Sequence, residues 1–283
     1  MKQILVPTDF SKNAYSALHY ATQLFKNEKV TFHLVNSFEA DVIAQTKGIL
    51  TRKNEEIIER LTNESHDKCK QLMHKIILDT ENKLHKFETI ATFLDLQKII
   101  NTLIKSKVID YVVMGTKGIS GAKDVLFGSN TVRVIKKLKG APLLMIPGEM
   151  EFVEIKRIGF ATDFTRKIRP KEIAPLIQFA KSYNAVLRIL FLGKQEIITE
   201  VQRENIHELK EMLYEIDYKL FEEEILSNKT DSLLQYVMFY DFNILAMIHY
   251  KHSFLEDLLR ESLVKKMGLY SNRPYLVIPE VKS

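Results

Sequence analysis

Residues 110–147 read DYVVMGTKGISGAKDVLFGSNTVRVIKKLKGAPLLMIP, and this stretch decides the fold. The apolar run Tyr111–Met114 ends at a glycine, which predicts a buried strand. Apolar residues then recur at the spacing of one helix face: Val132, Ile135 and Leu138. Lysines in the last turn of this helix suit its dipole, and Gly140 is expected to end it. Leu143–Ile146 predicts a second buried strand.

Glycines lie between the first of these strands and the helix, in the pattern Gly115-x2-Gly118-x9-Gly128-Ser129. A strand that leads through a glycine loop into a helix N-terminus can hold phosphate, because backbone N–H groups and the helix dipole point at one place. Glycine also lets phosphate oxygens approach the backbone. The pattern is neither the Walker P-loop nor the Rossmann dinucleotide fingerprint. A tight loop without a ligand is the alternative interpretation.

The glycine spacing resembles the nucleotide-binding motif of the universal stress protein family. In ATP-binding members of that family, the G-x2-G-x9-G-S/T pattern holds the phosphates and the ribose. The resemblance therefore implies a set of motif residues that bind the ligand: Gly115, Gly118, Gly128 and Ser129. It also implies neighbours that flank the ligand: Met114, Asn130 and Thr131.

The N-terminal segment QILVPTDFS, residues 3–11, predicts a first strand that ends in a polar turn. Ligands of open α/β sheets bind beyond the carboxyl ends of the strands, which makes the turn residues candidates: Pro7, Thr8 and Asp9. The resemblance implies that Asp9 lies at the adenosine part of the ligand. The alternative is that Asp9 caps the first helix, alone or with Ser11. Val35 matches the family position whose backbone contacts adenine, although alone it suits a core.

Strand and helix patterns alternate along the first half of the chain, which predicts a parallel sheet with helices on both faces. RIGFATDFT at residues 157–165 then repeats QILVPTDFS, so the domain is duplicated. We predict an α/β protein with two tandem open five-stranded parallel sheets, in domains 1–148 and 149–283. The resemblance implies a Rossmann-like, adenine-nucleotide alpha-hydrolase-like fold. It also implies pseudo-two-fold pairing of the domains through their fifth strands, Leu143–Ile146 and Tyr275–Ile278.

The second copy differs where a ligand would bind. After its fourth strand the chain reads IHYKHS at residues 248–253, without a glycine. We expect this degenerate domain to have lost the nucleotide site. His249 and His252 have the i, i+3 spacing of a helical pair, but a metal site needs at least one more ligand, so no metal site is predicted.

Composition limits the class of protein. No apolar run among the 283 residues approaches the roughly 18 that a membrane helix needs. The single cysteine excludes an internal disulfide, and we expect a cytoplasmic protein without a membrane partner.

Residues 1–148 carry a net charge of +7 and the rest −2, within a total of +5. Solvated helix faces explain this first, and an anionic ligand is the alternative. No nucleic-acid partner is expected, since no recognised module is present.

The leading hypothesis is a stress-response protein that binds ATP or another adenine nucleotide in its N-terminal domain. Mg²⁺ is a candidate companion of the phosphates, and a homodimer is a candidate assembly. We expect a regulatory protein rather than a catalyst, because no Ser-His-Asp or Cys-His set can be assembled. The alternatives are a nucleotide-independent interaction scaffold and a slow ATPase. In the loop, Lys117, Lys123 and Asp124 are expected to be solvated charges; the alternative is that Lys117 neutralises phosphate charge and Asp124 holds Mg²⁺.

Overall fold

The computed structural model describes residues 1–46, 55–116, 128–148, 150–192, 198–223, 229–250 and 273–281. These residues form two compact units. The first ends at Phe152 and the second begins at Val153, a few residues beyond the boundary expected from the sequence. We call these units the first and the second domain.

The first domain is an open parallel α/β sheet. Its elements are β1 (Lys2–Pro7), α1 (Lys12–Leu24), β2 (Val30–Ser37), α2 (Glu39–Thr46), α3 (Glu55–Thr80), β3 (His85–Thr92), α4 (Leu96–Lys107), β4 (Tyr111–Gly115), α5 (Ser129–Lys137) and β5 (Leu143–Ile146). The strand order is β3-β2-β1-β4-β5, and every neighbouring pair is parallel. The strands β1, β2, β4 and β5 are almost entirely buried.

The second domain repeats this topology. Its elements are β6 (Arg157–Thr162), α6 (Pro170–Tyr183), β7 (Val186–Leu192), α7 (Glu200–Met212), β8 (Tyr218–Glu223), α8 (Lys229–Phe239), β9 (Ile244–His249) and β10 (Tyr275–Pro279). The order β10-β9-β6-β7-β8 is again parallel throughout. The prediction of an α/β fold with parallel strands flanked by helices is therefore confirmed, and each unit contributes five of the described strands. None of the helices in the described ranges is long and apolar enough to span a membrane.

Local sequence signals set several helix ends. Ser11 begins α1 as predicted, because its hydroxyl accepts the N–H of Ala14 at 3.2 Å. The prediction that Gly140 ends α5 is wrong. The last turn closes at Leu138, whose N–H donates to Val134 before the backbone becomes extended. Burial of the Leu138 side chain favours this early exit, and Gly140 serves the following turn with a φ of 84°.

Two histidines are buried in the first domain. His33 on β2 lies 2.8 Å from the Gln3 side chain, and His85 on β3 lies 3.1 Å from the Phe25 carbonyl. Burial lowers the pKa of His33, and the Lys107 ammonium lowers it further; the Glu88 carboxylate, 3.1 Å from the ring, raises it but does not reverse the shift. Burial also lowers the pKa of His85. Both imidazoles are therefore neutral in the folded protein near pH 7.

These pKa shifts predict acid-induced loss of stability. The unfolded chain has histidine pKa values near 6.5, above those of the folded state, so it takes up protons more readily. The contribution of the two neutral imidazoles to the free energy of unfolding should be complete above about pH 6.5. It should be lost progressively as the pH decreases below that value. Replacing His33 and His85 by Gln should flatten this dependence in urea titrations, whereas His74→Gln at an exposed position should leave it unchanged. An unaltered pH slope in the double variant would contradict the assignment.

Candidate functional site

A pocket of about 560 Å³ lies at the carboxyl ends of β1, β2 and β4 in the first domain. The strand order reverses between β1 and β4, because the chain runs from β1 through β2 to β3 and then returns to the other side of β1. Parallel sheets leave a crevice at such a point, and it is the usual ligand site of open α/β folds. The pocket volume also falls within the range of small-molecule sites.

The structure brings most of the predicted site residues together. The pocket is lined by Pro7, Thr8, Asp9, Met114, Gly115, Gly128, Ser129, Asn130 and Thr131. Val35 is fully buried and does not line it; the Val35 carbonyl accepts the N–H of Thr8 at 2.8 Å. Gly118 and the three loop charges, Lys117, Lys123 and Asp124, lie outside the described residues.

The turn after β1 is held by its own side chains. The Thr8 hydroxyl accepts the N–H of Phe10 at 3.0 Å, and the Asp9 carboxylate accepts the N–H of Ser11 at 3.1 Å. Phe10 adopts a left-handed φ of 62°, which is strained for a residue with a side chain. Asp9 thus supports the helix start through Ser11, which itself is the N-cap. This contact does not exclude a ligand, because Asp9 also lines the pocket.

Two residues that the sequence pattern did not single out position this turn. The Asn36 amide donates to the Thr8 carbonyl at 2.8 Å, and the Ser65 hydroxyl donates to the Asn36 side-chain oxygen at 2.7 Å. Asn36 and Ser65 are both buried and line the pocket. A signal was available on α3, where Leu61, Ser65 and Cys69 recur every fourth residue and are buried. Burial raises the pKa of the Cys69 thiol to about 11, which favours an inert thiol.

The N-terminus of α5 opens into the pocket. Its N-cap, Gly128, forms no side-chain capping bond, and the first turn carries no acidic residue. The Gly128 N–H donates to the Thr116 carbonyl at 2.6 Å. The buried Thr131 hydroxyl lies 3.2 Å from the carbonyl oxygens of both Gly115 and Thr116. This hydroxyl therefore joins α5 to β4, while the backbone N–H groups of the first helical turn lack intrahelical acceptors.

Electrostatics differ between the two sides of the pocket. The side formed by α2 and α3 carries the carboxylates of Asp41 and Glu64, of which Glu64 pairs with Arg60 at 2.5 Å. Lys68 is the only lysine or arginine among the described lining residues, and its ammonium lies 6.0 Å from the Phe10 ring centre. The side formed by α5 presents the positive end of a helix dipole. A ligand with hydroxyl or amino donors at one end and negative charge at the other matches this arrangement.

The unpredicted helix α2 completes the pocket wall. It contributes Ala40, Asp41 and Gln45 to the lining, and it packs through Val42 against Leu61 of α3. The sequence signal was weak, because α2 has only eight residues and two buried side chains. Within the described ranges, no group of three or more His, Cys, Asp or Glu side chains is placed to hold a metal ion.

At the corresponding place, the second domain presents side chains instead of glycine. Gly115 pairs with Ile146 at the end of β4, and Ile248 pairs with Ile278 at the same register of β9 and β10. Ile248 therefore occupies the position of Gly115. The turn after the first strand of each domain has nevertheless kept its backbone conformation, since Phe164 repeats the positive φ of Phe10.

The buried carboxylate of Glu172 bonds to the residues that follow β9 and β10. Glu172, near the start of α6, is 1% exposed and accepts hydrogen bonds from the Tyr250 hydroxyl at 2.9 Å and the Val281 N–H at 3.0 Å. It also accepts the backbone N–H of Arg169 at 2.9 Å. Burial, together with the Glu172 charge, raises the pKa of Tyr250, so the phenol stays a donor. His252 lies outside the described residues, so the histidine pair is not tested.

Comparisons with known proteins agree with the fold. A sequence model of the Universal stress protein family matches residues 1–147. A universal stress protein of Methanocaldococcus jannaschii is 30% identical over 153 residues, which cover 51% of this chain and 94% of that protein. A universal stress protein structure from Archaeoglobus fulgidus has a TM-score of 0.70 at 17% identity and covers 98% of both chains. A putative universal stress protein from Pseudomonas aeruginosa has a TM-score of 0.59 at 12% identity, over 99% of this chain and 93% of that one.

The Thr131 contacts generate a stability prediction. Thr131→Val keeps the shape of the side chain but removes the hydroxyl that bonds to the end of β4. We expect the free energy of unfolding of the first domain to fall by about 1 kcal/mol, the net contribution of a buried hydrogen bond. Urea titration measures the change, and Thr131→Ser, which keeps the hydroxyl, is the matched control. Equal loss in the two variants would show that the hydroxyl does not join these elements.

Proposed function

Since the chain belongs to the universal stress protein family, we propose that its first domain binds ATP or a related adenine nucleotide. In this proposal the protein acts in the stress response by changing state with its ligand, not by catalysis. The observation that carries it is the uncapped N-terminus of α5, which opens beside Gly115 into the pocket at the strand ends. Such a helix terminus is a ready site for phosphate.

The phosphates would lie at the start of α5. Backbone N–H groups of Ser129, Asn130 and Thr131 belong to the first helical turn, where the helix offers them no acceptor. Ser129 and Asn130 are exposed, so a ligand can reach them. Gly115 contributes space rather than unusual backbone geometry, since its φ is not positive. Its missing side chain leaves room beside the helix terminus.

The adenosine would lie toward β1, β2 and α3. There the carboxylate of Asp9 and the side chains of Gln45 and Glu64 line the pocket and can accept hydrogen bonds from hydroxyl or amino groups. Mg²⁺, if bound with ATP, would be held mainly by the phosphates, as is usual for this ion. Mg²⁺ prefers oxygen ligands, and the carboxylates of Asp9 and Asp41 offer such oxygens in the pocket lining.

We propose one nucleotide per chain, with the second domain inactive for this ligand. Ile248 puts a branched side chain where the first domain has glycine. Tyr250 and Val281 are bonded to Glu172 at the same end of the sheet. These side chains would occupy space that phosphate and backbone need to approach one another.

Calorimetric titration of nucleotide-free protein with ATP tests the site. We expect one ATP per chain, and we expect Gly115→Val to weaken binding by roughly tenfold or more, because the branched side chain fills space beside α5. Ile248→Val at the matching register of the second domain is the control and should not change binding. Chromatography of nucleotide released by denaturing the purified protein identifies the natural ligand.

Other outcomes separate the alternatives. Two nucleotides per chain would refute the proposed inactivity of the second domain. Failure of ATP, ADP, AMP and adenosine to bind at all would refute the proposed function and leave the interaction scaffold. Binding that is unaffected by Gly115→Val would place the ligand elsewhere.

A binding protein should turn ATP over slowly. Phosphoryl transfer requires a positioned base or metal site in addition to a phosphate cradle, and the described pocket residues include no histidine. With Mg²⁺ and saturating ATP, we expect phosphate release well below about 1 s⁻¹, the lower end of kinase rates. A coupled phosphate assay measures this rate. Faster release that is lost in Gly115→Val would favour the ATPase alternative.

A further inference from the structure

A second and wider cavity of about 970 Å³ runs between α1 and α3 on the first domain. We call it the α1/α3 groove. It shares Phe10 and Lys68 with the nucleotide pocket but extends away from it along the two helices, as far as Asp79 on α3. The segment at Met150 and Glu151 borders it as well. The proposed nucleotide function makes no use of this groove.

Three lysines line the groove. Lys12 begins α1, while Lys68 and Lys75 lie two turns apart on α3. Among the described residues, none of the three forms an ion pair with a carboxylate within 4.0 Å. Their charges are therefore available to an external anion, whereas Lys70, nearby on α3, lies 3.9 Å from Asp67.

Aromatic rings hold two of these ammonium groups in place. The Lys75 ammonium lies 4.0 Å from the centre of the Tyr15 ring, and the Lys68 ammonium lies 6.0 Å from that of Phe10. The Tyr15 hydroxyl donates to Asp79, which fixes the ring and engages the carboxylate. Burial and Asp79 raise the pKa of Tyr15, so this donor persists across ordinary pH. Cation–π contacts reduce the freedom that the lysines would lose when they bind an anion.

The groove also has apolar surface. Leu72 on α3 and Met150 line it together with the rings of Phe10 and Tyr15. A continuous polyanion such as nucleic acid would leave this surface without a partner, and it would bring repeated negative charge near Asp79 and Glu151. A peptide can place carboxylates at the lysines and apolar side chains between them. Charge and apolar surface together therefore favour a peptide over a nucleic acid.

We propose that the α1/α3 groove binds an acidic peptide segment of a partner protein, in which carboxylates alternate with apolar residues. Lys12, Lys68 and Lys75 pair with the carboxylates, and Leu72 and Met150 contact the apolar side chains. This site is separate from the nucleotide pocket, although Phe10 and Lys68 border both.

Fluorescence anisotropy of the full chain tests the proposal. The probe is a fluorescein-labelled peptide in which glutamates alternate with leucines, and the competitor is a single-stranded oligonucleotide of equal charge. We expect the peptide to bind and the Lys12→Gln/Lys75→Gln double variant to weaken it roughly tenfold, through loss of two charge contacts. Lys26→Gln/Lys70→Gln removes the same charge from exposed positions that do not line the groove, and should bind like the unmodified protein.

Several results would overturn the proposal. No peptide binding at low salt, or equal loss in both double variants, would show that the groove is not a specific site. An oligonucleotide that displaces the peptide with equal affinity would indicate a general polyanion surface. Both double variants leave Lys68 and the nucleotide pocket intact, so ATP titration of the same proteins distinguishes failure of this inference from failure of the proposed nucleotide function.

Discussion

The contact between Thr131 and the end of β4 is the constraint on which the candidate site depends. One hydroxyl lies within hydrogen-bond distance of two consecutive carbonyl oxygens, and the Gly128 N–H bonds to the second of them. These bonds fix both the position and the direction of the first turn of α5. Direction matters, because a helix N-terminus attracts an anion only within about its first turn. The sequence placed Thr131 among the residues that flank a ligand. In the structure its side chain positions the backbone N–H groups that would contact that ligand.

The two domains show which parts of the sequence belong to the fold and which to a ligand site. Asp9 and Asp163 each accept the N–H of the residue two positions later, and the phenylalanine after each has a positive φ. This turn is retained where Ile248 has replaced the glycine, so it has a role in folding whether or not a ligand binds. The glycine at the end of β4 is different, since its replacement leaves the sheet intact. The sheet itself therefore does not require glycine at this position.

Sequence alone predicted the sheet because parallel buried strands and amphipathic helices have strong periodic patterns. It also located the turn after β1, Gly115 and the start of α5, which are local in sequence. It missed Asn36 and Ser65, because their hydrogen bonds join β2 and α3 to Thr8 across long sequence separations. Helix α2 was missed for a related reason: it is short, and its burial against Leu61 comes from tertiary packing. The end of α5 was predicted wrongly, because burial of Leu138 and not the following glycine accompanies the exit from the helix.

Net charge left an anionic ligand open as the alternative to solvated helix faces, and the structure places much of that positive charge away from the pocket. The first half of the chain is basic, yet the described residues of its pocket include three carboxylates and one lysine. Several of the lysines lie instead in the last turns of α4 and α5, where they complement the negative ends of those helices. Surface charges there are screened over roughly 8 Å at physiological salt. In the proposed site, the attraction for an anion would come mainly from oriented N–H groups at the start of α5, which net charge does not count.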